Sequence, residues 1–369
     1  MKILVTGAQG FVGKNFCLVL NEKGHQVFEY DLGSTKEELV RWIKEADFIV
    51  HLAGVNRPLT NDEFYNGNAN FTFELTSLME EYSCKSPIIY SSTIQAERDN
   101  DYGRSKKMAE DYLREFSIRT GTPVFIYRLS NLFGKWSRPN YNSVIATFAY
   151  NIARDLPIRI DDSEAMINFI YIDDLVFTML NMIENPQQVK IQDYYFIEPN
   201  YPIKIGQLAN TIRQFKASRT TLMVPKLDDD FTRKLYATYL SYLPEDDFGY
   251  ALTMNKDDRG SFTEFLRSEG AGQVSINVTK PGITKGNHWH HTKNEKFLVV
   301  SGQAEINFRK IGTTEIITYQ VNGDDLRVID IPTGYTHNIT NIGDHDLVTI
   351  MWASEPYDKN NPDTHFEKV

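Results

Sequence analysis

Toward the end of the chain the sequence reads Gly282-x5-His288-x-His290-x4-Glu295-x6-Gly302 and then Pro332-x-Gly334-x2-His337-x3-Asn341. Three imidazoles and one carboxylate are the donor set of a mononuclear divalent-metal site, suited to Zn, Fe, Mn, Ni or Co. His288 and His290 stand two apart on an expected strand and so share a face. Glu295 follows after a turn and His337 comes from a distant strand, so all four can meet inside a small barrel. The alternative is a sugar-binding barrel whose histidines only hydrogen-bond. His291 falls on the opposite face by strand alternation. Lys296 and Tyr335 adjoin ligand positions and are read as strand or turn residues or as proton carriers; His25, His345 and His365 are read as surface residues.

A second chemistry opens the chain. Gly7-Ala-Gln-Gly10-Phe-Val-Gly13 directly follows an apolar strand. Glycines let the backbone turn tightly and approach a pyrophosphate, and the helix that follows offers free N–H groups and partial positive charge. Gly7, Gly10, Phe11, Val12 and Gly13 are the expected contacts. Asp31, at the end of the second strand, is placed to grip the adenosine ribose, which favours NADH because a carboxylate repels a 2′-phosphate. Lys14, Lys36 and Arg57 would offset that repulsion if they converge. Leu52, Ala53 and Gly54, at the end of the third strand, are expected to pass under the cofactor, with His51 packed or hydrogen-bonded nearby. Tyr102-Gly-Arg-Ser-Lys106 puts a phenol and an ammonium on one helix face. The ammonium is expected to depress the phenol's pKa and make Tyr102 a proton donor to an alkoxide. A hydroxyl partner is expected from Ser91-Ser92-Thr93.

The elements that must position these groups follow from periodicity. Strands are predicted at 2–6, 26–30, 46–52, 87–90 and 123–128, alternating with helices at 13–23, 36–44, 68–82 and 101–119. That is the pattern of βαβ units and an α/β, Rossmann-type, doubly wound parallel sheet. The alternation weakens after about residue 140, and a helix is predicted over 228–243. Pro244-Glu-Asp-Asp247 then breaks the pattern, which sets the expected domains at 1–246 and 247–369. Beyond it, short β-type runs at 274–279, 296–300, 304–308, 316–321, 326–331 and 346–352 predict an all-β sandwich or barrel.

Composition narrows the function classes. A formal charge of −10 argues against a nucleic-acid backbone as the main partner. Two cysteines, Cys17 and Cys84, build no disulfide framework and suit a reducing cytoplasm. The opening MKILVTGAQG lacks the apolar core of a signal peptide, and no stretch reaches the ~20 apolar residues of a membrane span.

Residues 1 to about 243 resemble an extended short-chain dehydrogenase/reductase acting on nucleotide sugars, and the two histidine motifs resemble those of the cupins. Asn70, Arg128-Leu-Ser-Asn131 and Asn168-Phe-Ile-Tyr-Ile-Asp-Asp174 extend the first likeness. It implies a catalytic set of Thr93, Tyr102 and Lys106, with Ser92 as the alternative hydroxyl and with Tyr102 and Lys106 also against the cofactor. It places the sugar nucleotide near Asn131, Arg138 and Asn142. Two features depart from it. The segment between Thr93 and Tyr102 is short, and Ile94-Gln95 stands where sugar-nucleotide dehydratases carry an acid–base pair, so ketone reduction is favoured over dehydration. In the second cupin motif Leu326 replaces the leading glycine.

The order of the two parts resembles a family of bifunctional capsular-polysaccharide enzymes. That likeness implies epimerisation at C3 of a UDP-2-acetamido-2,6-dideoxy-4-keto-hexose by the cupin, and reduction at C4 by the first domain. It also implies NADPH, one zinc ion and a homodimer; NADH stays open because of Asp31. The alternative is a reductase alone, its cupin serving for dimerisation or sugar binding.

Overall fold

The computed structural model describes residues 1–186, 193–252, 255–257, 260–262, 273–355 and 362–369. It divides into two compact units: Met1–Phe133, Tyr141–Ser143 and Ile167–Pro202 form the first; Gly134–Asn140, Val144–Met166 and Ile203–Val369 form the second.

In the first unit, β1 (Lys2–Thr6), β2 (Gln26–Tyr30), β3 (Phe48–His51), β4 (Ile88–Thr93) and β5 (Val124–Leu129) make a parallel sheet in the order β2-β1-β3-β4-β5. Helical connections join them: α1 (Phe11–Glu22), α2 (Lys36–Glu45), the run α3 (Asn61–Phe64) to α4 (Phe71–Glu81), and α5 (Asp101–Thr120). The central strands are apolar because helices cover both faces; Leu4, Ile49, Ile88, Leu113 and Phe116 meet in one core cluster. The helix ends are written in local chemistry. Thr35 and Glu38 form a reciprocal capping box on α2, the Asn100 side chain caps α5 at Gly103, and Gly121 ends α5 at φ +75°.

One element departs from its periodicity. The helix predicted over 68–82 is preceded by a π-helical turn, Tyr65–Asn70, and α4 starts only at Phe71. The cause is local. The Asn68 amide accepts from Val55 N at 2.9 Å and donates to Val55 O at 3.2 Å, drawing this turn against the segment after β3. Gly67 permits the approach, since a Cβ there would lie 2.3 Å from Val55 Cγ2. After β5, β6 (Asn131–Phe133) pairs in parallel with β7 (Met166–Tyr171), and α7 (Ile172–Glu184) packs on α1.

In the second unit, α6 (Val144–Ala153), α8 (Ile205–Thr221, entered from β8, Tyr201–Lys204) and α9 (Asp230–Leu240) pack on one another. Short strands follow: β9 (Gly249–Ala251), the antiparallel pair β10 (Asn255–Asp257) and β11 (Gly260–Phe262), β12 (Gln273–Thr279), β13 (Thr284–Trp289), β14 (Glu295–Ser301), β15 (Gln303–Lys310), β16 (Ile316–Asn322), β17 (Arg327–Ile331), β18 (Tyr335–Asn341), β19 (Leu347–Ala353) and β20 (His365–Phe366). Two antiparallel five-stranded sheets result, β12-β19-β14-β17-β9 and β16-β15-β18-β13-β20. They face each other across an apolar interior: Phe297 of one sheet lies 5.8 Å from His337 of the other, and Phe308 packs on Phe248. This is the cupin-like β fold expected for the second half of the chain.

Candidate active site and metal centre

The glycine loop between β1 and α1 is built so that no side chain fits. Gly7 has φ +70°, and a Cβ on it would lie 2.7 Å from Ala53 N; a Cβ on Gly13 would lie 2.2 Å from Gly7 O. Gly10 precedes α1 without a side-chain cap, so the helix's first N–H groups await an external acceptor. The cradle fits a pyrophosphate. Asp31 stands beside the loop, its carboxylate accepting from Gln9 N at 2.7 Å and Leu32 N at 2.8 Å. Lys36 is paired with Glu74 and Arg57 lies over the Tyr141 ring, so two of the cations expected to offset Asp31 are engaged elsewhere. Leu52 and Ala53 are tied to Thr6 through its carbonyl and its hydroxyl, and Gly54 is approached by the Asn68 amide oxygen.

At the end of β4, the Thr93 side chain stands close enough to Tyr102 to act on its phenol, while its hydroxyl accepts from Gln95 N at 3.2 Å. Burial raises the phenol's pKa above its ordinary value and outweighs the Thr93 side chain, which lowers it. This reverses the expectation that Lys106 depresses it. The Lys106 ammonium instead donates to Ser91 O at 2.7 Å and lies 4.3 Å from the centre of the Tyr90 ring. Burial pushes Lys106 down to about 7, against the opposing pull of Glu110. The Ser92 hydroxyl donates to the Glu110 carboxylate, which is buried and also accepts from Arg128 at 2.8 Å. Ser92 is therefore absorbed into a structural network, and Thr93 faces Tyr102.

Sequence reasoning missed Asn68. It is buried and donates to Ser105 Oγ at 3.0 Å, between the Tyr102 and Lys106 positions of α5. Asn70, chosen for its resemblance, is exposed and bonded to Asn66. The π turn shifts which asparagine points inward, and no sequence pattern announces it. His51 is a packed histidine as expected, held by Thr6 Oγ1 at 2.7 Å and Thr72 Oγ1 at 2.8 Å. Asn131 opens β6 and donates to Asn168 O, while Arg138 and Asn142 are exposed in the coil ahead of α6.

The four expected metal ligands converge. The donor atoms of His288, His290, Glu295 and His337 all lie within 4.8 Å of one another. His290 Nε2 and His337 Nε2 stand 3.3 and 3.4 Å from Glu295 Oε2. Both nitrogens are buried without a hydrogen bond of good geometry. Donors around one ion with bonds of about 2.1 Å sit roughly 3–3.5 Å apart, so the arrangement fits a divalent cation. Burial would push the Glu295 carboxyl up, but the two imidazoles outweigh it and hold it well below the usual range. His288 is pushed down to about 4 by burial and by the neighbouring rings. The strand expected to carry both first histidines ends at Trp289, one residue short of His290. A bulge at Gly286–Asn287, both at positive φ, re-aims His288 so that it pairs with His337. Lys296 points away from the ligands and is buried against Asp330; Tyr335 hydroxyl bonds Glu245. His365 is not a free surface residue, because it pairs with Trp289 across β20 and β13.

Residues 3–197, which contain the glycine loop, Thr93, Tyr102 and Lys106, match the NAD dependent epimerase/dehydratase family. The chain belongs to that family. Residues 255–365, with all four ligand positions, match the polysaccharide biosynthesis C-terminal domain. Among relatives, the chain is 45% identical over 368 residues to the UDP-2-acetamido-2,6-beta-L-arabino-hexul-4-ose reductase of Pseudomonas aeruginosa, covering 99% of this chain and 98% of that one. It is 26% identical to a dTDP-4-dehydro-6-deoxyglucose reductase of Escherichia coli over 60% of its own length and 83% of the relative's. Among solved structures it is similar to the capsular polysaccharide assembling protein CapF of Staphylococcus aureus, at 50% identity over the full length of both chains and a TM-score of 0.69. Both matched regions of the chain are thus covered together by full-length relatives.

Proposed function

We propose that this chain is a bifunctional nucleotide-sugar enzyme. Its C-terminal part (247–369) epimerises C3 of a UDP-2-acetamido-2,6-dideoxy-4-keto-hexose. Its N-terminal part (1–246) then reduces the C4 ketone to give UDP-N-acetyl-6-deoxy-L-talosamine, on the route to UDP-N-acetyl-L-fucosamine for capsular polysaccharide. The observation that carries the reading is the coexistence of an intact Thr93–Tyr102–Lys106 set and a converged His288–His290–Glu295–His337 cluster in one chain. The full-length relative named as a UDP-hexul-4-ose reductase supports the substrate class. The reading includes NADPH as reductant, zinc as the cation, a homodimer and a cytoplasmic setting.

In the reduction, the nicotinamide supplies hydride to C4. Gly7, Gly10 and Gly13 hold the pyrophosphate at the start of α1, and Asp31 meets the ribose. Tyr102, kept protonated by its burial, gives its proton to the C4 oxygen as the carbonyl becomes an alcohol. Thr93, next to the phenol, is assigned as the partner hydroxyl, and Lys106, pinned to Ser91 O, adds positive charge at the strand end when protonated. Asn131, Arg138 and Asn142 are assigned to the sugar nucleotide.

In the epimerisation, the C3 hydrogen is acidic because it adjoins the C4 ketone, and it returns from the opposite face. A cation held by His288, His290, Glu295 and His337 supplies Lewis acidity for that step. The test is proton NMR of enzyme and 4-keto substrate in D2O without nicotinamide, beside His290→Ala. Loss of the C3 signal with wild type but not with the variant is the expected result. If C3 keeps its proton in both while added NADPH still drives reduction, the second part is a structural or sugar-binding module.

A further inference from the structure

Residues 363–369 lie against His290 and His288 of the candidate metal centre and against chain neighbours of its other two ligands. The Asp363 main-chain carbonyl accepts from His290 Nδ1. Its carboxylate accepts three consecutive backbone N–H groups, from His291, Thr292 and Lys293, each at 2.7 Å, and the Thr292 hydroxyl at 3.0 Å. Those residues form the loop that joins ligand His290 to ligand Glu295. His365 and Phe366 pair as β20 with Trp289 and His288 of β13. Glu367 N donates to Asn287 O at 2.9 Å, beside the bulge that aims His288. Thr336, next to ligand His337, donates to the Glu367 carbonyl, and Arg309 clamps the Glu367 carboxylate at 2.6 Å.

We infer that residues 363–369 are a clasp that preorganises the metal centre, with Asp363 as its positioning residue. The inference rests on the metal-binding reading given above. The physical case is one of tautomer and loop entropy. An imidazole whose Nδ1–H is given to a carbonyl presents a bare Nε2 lone pair, the form a metal ion takes. A loop whose three N–H groups all end on one carboxylate is already ordered before the ion arrives, so binding does not have to order it. Asp363 performs both tasks, one with its main chain and one with its side chain. It stands outside the four-residue ligand cluster, so its effect is on affinity and geometry.

The experiment uses the full chain, stripped with chelator and reloaded. Zn(II) affinity is measured by competition with a chromophoric chelator, and the Co(II) form is read by its visible absorption. The variants are Asp363→Ala and the more conservative Asp363→Asn, with far-UV circular dichroism and NADPH binding as checks on the fold. Hydrogen exchange of the peptide spanning 291–294 is followed in each. Asp363→Ala is expected to weaken Zn(II) about 10- to 100-fold, the usual loss when a group behind a ligand is removed. Asp363→Asn is expected to lose less affinity, and both variants to lose protection at 291–293. A folded Asp363→Ala protein with wild-type Zn(II) affinity and an unchanged Co(II) spectrum would overturn the inference while leaving the metal reading intact. Should Asp363→Ala fail to fold, wild-type affinity together with wild-type protection in Asp363→Asn overturns it equally. A wild-type protein that binds neither ion overturns the metal reading first, and the clasp with it.

Discussion

At the scale of single residues, the N-terminal site works by burial more than by charge pairing. Spacing alone suggested that Lys106 would lower the Tyr102 phenol. The phenol is instead raised by desolvation, and the ammonium is spent on Ser91 O. A protonated Tyr102 is what carbonyl reduction requires. Tyr102→Phe should therefore cut kcat for ketone reduction about a hundred- to ten-thousand-fold. NADPH binding by fluorescence titration and C3 proton exchange by NMR should both survive. His51 gives a pH dependence with a definite sign. Its ring is neutral in the fold, pushed down to about 3 by burial, while an unfolded histidine titrates near 6.5. The contribution of the neutral, doubly bonded ring is fully present above pH 6.5 and is lost as pH falls from there toward 3. Urea unfolding at stepped pH should show wild type losing more stability over that window than His51→Gln.

At the scale of elements, two junctions carry the function. The first is the turn from β1 into α1, where Gly13 abuts the Gly7 carbonyl so closely that one methyl group has no room. Gly13→Ala should weaken NADPH roughly tenfold or more, equivalent to at least about 1.4 kcal/mol, in the same fluorescence titration. The second is the packing of α5 on β4 and β5 through Ser92, Glu110 and Arg128. Glu110 is fully buried, and neutralising it leaves the buried Arg128 guanidinium with Glu97 as its remaining carboxylate. Glu110→Gln should cost about 1–3 kcal/mol in urea unfolding, the range for weakening a buried, charged hydrogen bond. Elements also show where periodicity stops being informative. The 3.6-residue pattern over 68–82 is real, yet it carries no sign of a π turn whose own Asn68 side chain is drawn to Val55 of the preceding segment. Likewise, period-two alternation places His288 and His290 on one face, but the bulge at Gly286–Asn287 and the end of β13 at Trp289 are what bring them together.

At the scale of the whole molecule, the proposed function makes the two chemistries separable, and chelation should reveal it. Removing the metal is expected to abolish C3 proton exchange while leaving NADPH binding at its original affinity, and readdition of Zn(II) should restore the exchange. The division between what is legible and what is not follows range. The glycine loop, the Tyr102–Lys106 spacing, the parallel βαβ series and the convergent His288–His290–Glu295–His337 cluster are legible because each depends on side-chain type at short, regular spacing. So is the change to an all-β second half, since strand periodicity and turn residues are local signals. Tertiary structure alone decided what depends on contacts far apart in the chain. Glu110 takes Ser92 and leaves Thr93 for Tyr102, across 18 positions. Asn68, not Asn70, turns inward toward Ser105, across 37. Asp363 grips the loop between two ligands from about 70 residues away. Local sequence specifies which groups can react. Hydrogen bonds formed only on folding select which of them are free to do so, because a buried donor or acceptor must find its partner wherever the fold supplies one.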